Sequence, residues 1–273
     1  MRHWIVAGCL ALLTAAPQQP RDVILATTTS TRDAGLLDSL LPVFERQTGY
    51  RVKVIAVGSG QALELGRRGD ADVVLSHAPD AERVLVDSGY FVTRRLVMHN
   101  DFLIVGPSAD PAGLRGATDA VAAMRRLAER GTPFVSRGDQ SGTHKLEQKL
   151  WKVAGIQPPG PGSWYIEAGH GMGETLLMAD EKHAYTITDR ATYLTWRDRL
   201  QLVSLVEGDT VLYNVYHVLE PNPRNAPRIN TAGGKAFADF VVAPRTQVLI
   251  GEFGKSRFGK SLFFPDAGKP DRW

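Results

Sequence analysis

The sequence predicts an α/β protein of two lobes, each a mainly parallel sheet flanked by helices. Three observations carry that prediction. Past residue 21, short apolar runs alternate with stretches of helical spacing, the pattern of strands joined by helices. Gly106-Pro107 and Pro221-Asn222-Pro223 bracket a middle segment of domain size. The 273 residues suffice for roughly two average domains, or for one large domain split in two. Residues 21–105 with 212–273 are therefore expected to form a discontinuous lobe I, and residues 106–211 lobe II.

The strand candidates, in order, are residues 23–26, 52–57, 73–75, 102–105, 133–135, 164–166, 184–187, 202–206 and 211–219. Leu36, Leu37, Leu40, Leu41 and Phe44 recur at helical spacing. Pro42 is expected to kink or split that helix, and Gly49 to end it. Residues 119–130 and 232–243 read as further helices.

Ahead of lobe I, residues 1–20 read as a signal peptide. Arg2 and His3 precede the apolar run 4–13, and Thr14-Ala15-Ala16 offers small residues for cleavage. Spanning a bilayer takes about 20 apolar residues, so this run is too short. Export to the periplasm is the expectation. Val6-Ala7-Gly8-Cys9 has the form of a lipoprotein cleavage box, which would give a lipid-anchored variant, but it lies unusually close to the start.

Composition excludes several classes of function. Apolar residues at 43% and charged residues at 22% fit neither a disordered polymer nor a multi-span membrane protein. The net charge is +3, and +2 once residues 1–20 are removed, too weak for nucleic acid to be the default partner. Cys9 is the only cysteine, so neither a disulfide framework nor a thiolate metal site is available. The seven histidines show no zinc spacing, and no metal or cofactor is expected. His77 and His170, near strand ends, are the two placed to border a cleft.

Three strand-to-helix junctions carry chemistry suited to an anion. In open α/β sheets, ligands sit beyond the carboxyl ends of strands, where helix N-termini direct N–H groups outward. The first junction, Thr27-Thr28-Thr29-Ser30-Thr31, holds more hydroxyls than a single helix cap needs. The second, Gly58-Ser59-Gly60, allows close approach of backbone to a ligand. The third runs from Ser136 to His144. It supplies a cation in Arg137, an orienting carboxylate in Asp139, and Ser141, Gly142 and Thr143 at a helix start. Read more plainly, these are a capped helix, a glycine turn and a surface Arg–Asp pair. A fourth glycine-rich helix start lies at Gly169 to Gly173.

Enzymatic motifs are lacking. The spacing after Gly138 fails the phosphate-loop pattern, and no Gly-x-Ser-x-Gly elbow occurs. Nothing supplies a nucleophile with an evident base, so the chain is not expected to be an enzyme.

The same residues resemble a family, the periplasmic tungstate-binding proteins of ABC transporters (TupA-like), within the type II periplasmic binding proteins. The likeness runs from about Asp22 to Asp266. It includes Ala-Thr-Thr-Thr-Ser-Thr at 26–31, Val-Ile-Ala-Val-Gly-Ser-Gly-Gln-Ala-Leu at 54–63 and Gly-Asp-Ala-Asp-Val-Val-Leu-Ser-His-Ala-Pro at 69–79. It continues through Ser136 to His144, Gly171-Met172-Gly173-Glu174-Thr175-Leu176 and Tyr185-Thr186-Ile187-Thr188-Asp189-Arg190. The resemblance implies a two-lobed protein that closes over one tetrahedral oxyanion in the interlobe cleft and delivers it to permease subunits. It implies that Thr28, Thr29, Ser30, Gly58, Ser59, Gly60, Arg137, Ser141, Gly142 and Thr143 line the site. Asp139, Ser76 and His170 would stand behind them. Ser76 and His170 depart from the family pattern, which often has Val and Gln there.

Tungstate or molybdate is thus the expected ligand, bound by a monomer. Phosphate or sulfate capture is the alternative, since Arg137-x-Asp139-x-Ser141-Gly142-Thr143 also resembles phosphate-binding proteins. An exported phosphatase using the same cradle is the reading from another class.

Overall fold

The computed structural model describes residues 22–272, apart from residues 140, 159, 161 and 162 and the side chain of Ser30. The signal-peptide assignment to residues 1–20, and Cys9 with it, lies outside the described residues. β1 (Asp22–Thr28) leads into α1 (Thr29–Asp33), α2 (Leu36–Thr48), β2 (Arg51–Val57), α3 (Ser59–Arg68), β3 (Val73–Ser76) and α4 (Pro79–Asp87). The long β4 (Phe91–Pro107) follows. Next come α5 (Ala120–Arg130), β5 (Phe134–Ser136), α6 (Gly142–Ala154), β6 (Tyr165–Glu167), α7 (Met172–Glu181), β7 (Thr186–Asp189), α8 (Arg190–Trp196) and β8 (Leu202–Val206). β9 (Tyr213–Pro221), α9 (Thr231–Val242), α10 (Pro244–Glu252), α11 (Lys255–Phe258) and β10 (Phe264–Pro265) complete the chain.

The main sheet has the order β10-β4-β9-β3-β1-β2, with β7 and β8 also on β4. β1 is parallel to β2 and β3, and β5 is parallel to β6. Every ladder that β4 or β9 makes is antiparallel. The α/β class is as expected, but the sheets are mixed where mainly parallel ones were read from the sequence. The cause is topological. Strand–helix alternation signals parallel pairs only where a helix carries the chain back, and strands that pair directly without such a crossover can run opposite.

β4 is the spine. Its residues 91–101 pair with β9, while residues 102–107 pair with β7 and β8. The exchange of partners falls between Asp101 and Phe102. There, Asp101 accepts a 2.7 Å bond from Arg190 Nε of α8, and both residues are buried. Only residues 102–105 of this strand were expected from the sequence.

Two large cores form along β4: the first spans the exchange, from Val97 and Met98 to Leu103 and Val105, and the second lies beyond it, starting at Phe102. Around β1, β3 and β9, Phe44 of α2 packs against Phe237 and Phe240 of α9, at ring-centre distances of 5.4 and 5.3 Å. Beyond it, Phe134, Trp151 and Tyr165 pack with Met124 and Leu127 of α5. Each such side chain, fully buried, contributes about 1.5–3 kcal/mol. α2 buries Leu36, Leu37, Leu40 and Phe44 and ends at Gly49, whose φ of 75° is the left-handed conformation glycine tolerates. Pro42 does not split it. Pro42 and Asp38, whose carbonyl the proline ring deprives of a partner, are both exposed, so solvent can satisfy that oxygen.

Candidate functional site

Strand direction brings the sequence-predicted loops toward one level of β4. β3 and β4 both run antiparallel to β9, and the last residue of β3, Ser76, is level with His217, itself opposite Leu96. β1 and β2 run alongside β3, so their carboxyl ends point the same way. β7 runs against β4 and ends at Asp189, opposite Phe102. β5 lies parallel to β7 through the Phe134–Tyr185 bridge, and β6 parallel to β5. Two sets of carboxyl ends thus approach residues 96–102 from opposite directions, the arrangement in which α/β sheets place ligands.

In the first set, Thr28 is level with Val57, so Thr29 and Gly58 continue side by side. Thr28 is buried, and its Oγ1 lies 2.6 Å from Thr31 Oγ1 and 3.0 Å from His77 Nε2. Thr29 is exposed. Gly58 caps α3 in an extended conformation without a side-chain bond, leaving the first amides of that helix uncapped. Among the described residues, a Cβ on Gly58 or Gly60 would meet nothing within 4 Å. Ser59 is half-buried between them. Ser76 is fully buried, and its Oγ has no hydrogen-bond partner among the described residues. It sits behind the loops, opposite His217.

In the second set, Ser136 is level with Glu167, and the Arg137 carbonyl accepts a 2.9 Å bond from the Gly169 amide. Arg137 Nη2 donates to Asp139 Oδ2. Asp139 Oδ1 accepts from the Ser141 amide at 3.1 Å. Burial works against ionisation of Asp139, but the Ser141 hydroxyl and amide, with Arg137, hold its carboxyl below the ordinary range. Asp139 therefore orients both the guanidinium and the helix start. Gly138 has φ 63°, and a Cβ there would lie 3.0 Å from Glu167 Cβ, so this turn takes glycine. Ser141 Oγ caps α6 by accepting from the His144 amide at 3.3 Å. A Cβ on Gly142 would meet nothing within 4 Å among the described residues, whereas Thr143 is buried. The Nε of Arg137 is buried with no partner among the described residues. His170 is exposed just before α7, whose N-cap Gly171 makes no side-chain bond.

The register unites Thr28 and Thr29 with Gly58–Gly60, and hydrogen bonds unite Arg137, Asp139 and Ser141. Two components were not singled out from the sequence. The ring of Tyr216 of β9 packs at a tilt against His77, with centres 4.9 Å apart, and its hydroxyl accepts from Asn214 Nδ2 at 3.0 Å. Glu147 of α6 is buried near Ser136, where its Oε1 accepts from Tyr165 and Trp151. Asn214 and Tyr216 share one face of β9 at period two, a signal that gives the face but not its neighbours. Chemically, the two sets supply hydroxyls, uncapped amides and one guanidinium. The first turns of α3 and α6 each add about half a positive charge. Among the described residues, no group of three or more His, Cys, Asp or Glu side chains could hold a metal ion.

Comparison with known proteins follows the same direction. Residues 14–245 match the model of the PBP superfamily domain. The chain is 49% identical to the tungstate-binding protein TupA of Peptoclostridium acidaminophilum, over 92% of this chain and 88% of that protein. Among solved structures, it is similar to the tungstate-binding protein TupA from Desulfovibrio alaskensis G20. The TM-score is 0.84 and the identity 44%, with 91% of this chain and 99% of that one covered. It is also similar to the tungstate ABC transporter from Geobacter sulfurreducens, with a TM-score of 0.73 and 45% identity over 86% of this chain and 100% of that one.

Proposed function

We propose an extracytoplasmic oxyanion-capture function, and its premise is membership: the chain belongs to the PBP superfamily and, within it, to the family of the TupA proteins. In this reading the protein binds tungstate, with molybdate as a close competitor, and hands it to the permease subunits of an ABC importer. Lobe I, residues 21–105 with 212–273, and lobe II, residues 106–211, close on the anion by bending at the β4 exchange point. Thr28, Thr29, Ser30, Gly58, Ser59 and Gly60 line one side, and Arg137, Ser141, Gly142 and Thr143 the other. The protein acts as a periplasmic monomer and not as an enzyme. No described helix is long and apolar enough to cross a membrane.

The observation that carries this reading is the approach of two sets of strand ends toward residues 96–102 of β4. A donor set of amides, hydroxyls and one guanidinium matches a fully deprotonated dianion, which offers acceptors only. Calorimetric titration with tungstate, molybdate, sulfate and phosphate tests it. Tungstate is expected to bind and to stabilise the fold by about 2.7 kcal/mol at a hundredfold excess over Kd. Absence of both heat and thermal shift with tungstate and molybdate removes the reading. Tighter binding of phosphate than of either metal oxyanion would replace it with the phosphate alternative.

A further inference from the structure

His77 directly follows β3, beside the end of β1, and takes no part in the proposed anion contacts. Its Nε2 lies 3.0 Å from Thr28 Oγ1, the oxygen that also meets Thr31 Oγ1 at 2.6 Å and the Thr31 amide at 3.3 Å. The ring is held in place by Tyr216, whose ring centre is 4.9 Å away and whose side chain is fully buried. Thr28 has one hydroxyl proton, so the direction of its bond with His77 depends on whether Nε2 carries a hydrogen.

Resting on the oxyanion reading above, we propose that His77 is a positioning residue that couples anion binding to a proton through Thr28. Affinity then rises as the pH falls. When Nε2 is protonated, it must donate to Thr28 Oγ1, which turns the Thr28 hydroxyl proton away from the ring. The same step places a positive charge one hydrogen bond behind the anion. A bound dianion favours the charged ring, so binding takes up a proton, and the coupling is reciprocal.

The surroundings leave room for this change. Burial pushes the His77 pKa below its ordinary value, against Glu82 and Asn214, so the ring of the unliganded protein is mostly neutral at pH 7. The groups around it are Thr28 of β1, Thr31 of α1, Glu82 of α4, and Asn214 and Tyr216 of β9. Glu82 is itself bound to His217 at 2.9 Å and to Arg94 at 3.0 Å, and Arg94 also donates to Asp271 at 2.5 Å. Glu82 is therefore already matched by Arg94 and bound to His217, and leaves the ring to respond to the anion.

The test titrates tungstate into the wild type, His77→Gln and His77→Phe from about pH 8 to 6, in buffers of differing ionisation enthalpy. The wild type is expected to tighten by about five- to tenfold over that range, with proton uptake. His77→Gln, which keeps a polar group but cannot titrate, is expected to lose the slope while staying within about threefold of the wild type at pH 8. His77→Phe, which keeps the face against Tyr216 but loses the Thr28 bond, is expected to be about tenfold weaker throughout. Ring nitrogen NMR shifts of His77 in the wild type are expected to move on adding tungstate, a readout that requires no variant to fold. A flat wild-type profile, an unchanged slope in His77→Gln, or ring shifts indifferent to saturating tungstate would overturn the proposal. Failure of the wild type to bind tungstate at any pH is a different outcome, and sinks the oxyanion reading together with it.

Discussion

Each half of the molecule encloses a glutamate behind its loops, and the two are treated oppositely. Glu82 lies behind the hydroxyl loops, with His217 and Arg94 at 2.9 and 3.0 Å. Burial opposes its ionisation, but His217, the Ala78 amide and Arg94 hold it below the ordinary range. Glu147 lies behind the Arg137 loop and accepts at 2.7 Å from Tyr165 and 3.1 Å from Trp151, both neutral donors. There burial prevails and pushes the carboxyl upward. A carboxylate needs a cation beside it to stay charged in the interior. Where a nearby cation is to be kept for an anion, biasing the acid toward its neutral form avoids cancelling that cation from behind.

The comparison breaks most visibly at Glu82. Glu82→Ala removes the carboxylate that meets Arg94 and His217, and frees the Ala78 amide. It is expected to cost about 3–5 kcal/mol in denaturant unfolding, and a loss below 1 kcal/mol would show that the cluster does not hold α4. On the other side, Arg137→Ala is expected to weaken tungstate binding by about 2–5 kcal/mol in calorimetry, since it removes the charged partner. An unchanged Kd would put the arginine outside the site. Gly142→Ala sharpens the contrast between ligand space and packing space. Among the described residues nothing stands within 4 Å of the added methyl, so stability should stay within about 1 kcal/mol while oxyanion binding weakens. Equal binding would show that no ligand approaches there.

The smallest effect belongs to Glu147→Gln. An acid whose pKa is raised by folding loses stability as the pH rises from its ordinary value of 4.5 through the folded value. Glutamine keeps an acceptor for Tyr165 and Trp151 without that slope. The variant is expected to match the wild type near pH 4 and to exceed it by about 1 kcal/mol at neutral pH, a gap that thermal melts across pH should resolve. A gap that narrows with rising pH would reverse the assignment.

The loops were legible because their chemistry is local. Hydroxyl runs and glycines at strand ends announce helix starts wherever the strands go, and Arg137 and Asp139 stand two residues apart. The interior electrostatics were not legible. Glu82 and Glu147 sit on helices, where a charged residue ordinarily means solvent, and the partners that mark them as interior, His217 of β9 for Glu82 and Tyr165 of β6 for Glu147, come from other elements. The same holds for the first part of β4. Arg94 and Arg95 make residues 91–101 look like a surface loop, yet their charges are met by Glu82, Glu220 and Asp239. Strand direction was the other gap, since no local pattern records whether a strand returns beside its neighbour or against it.

A single strand shared by two halves has a consequence for how the protein can be taken apart. A fragment cut out as residues 106–211 would lose most of the strand that β7 and β8 need as an edge. The remainder would keep β9 with its long partner truncated. Neither piece would keep its sheet complete. Chimaeras between relatives therefore have to transplant residues 91–107 whole, with both sets of neighbours chosen to suit them.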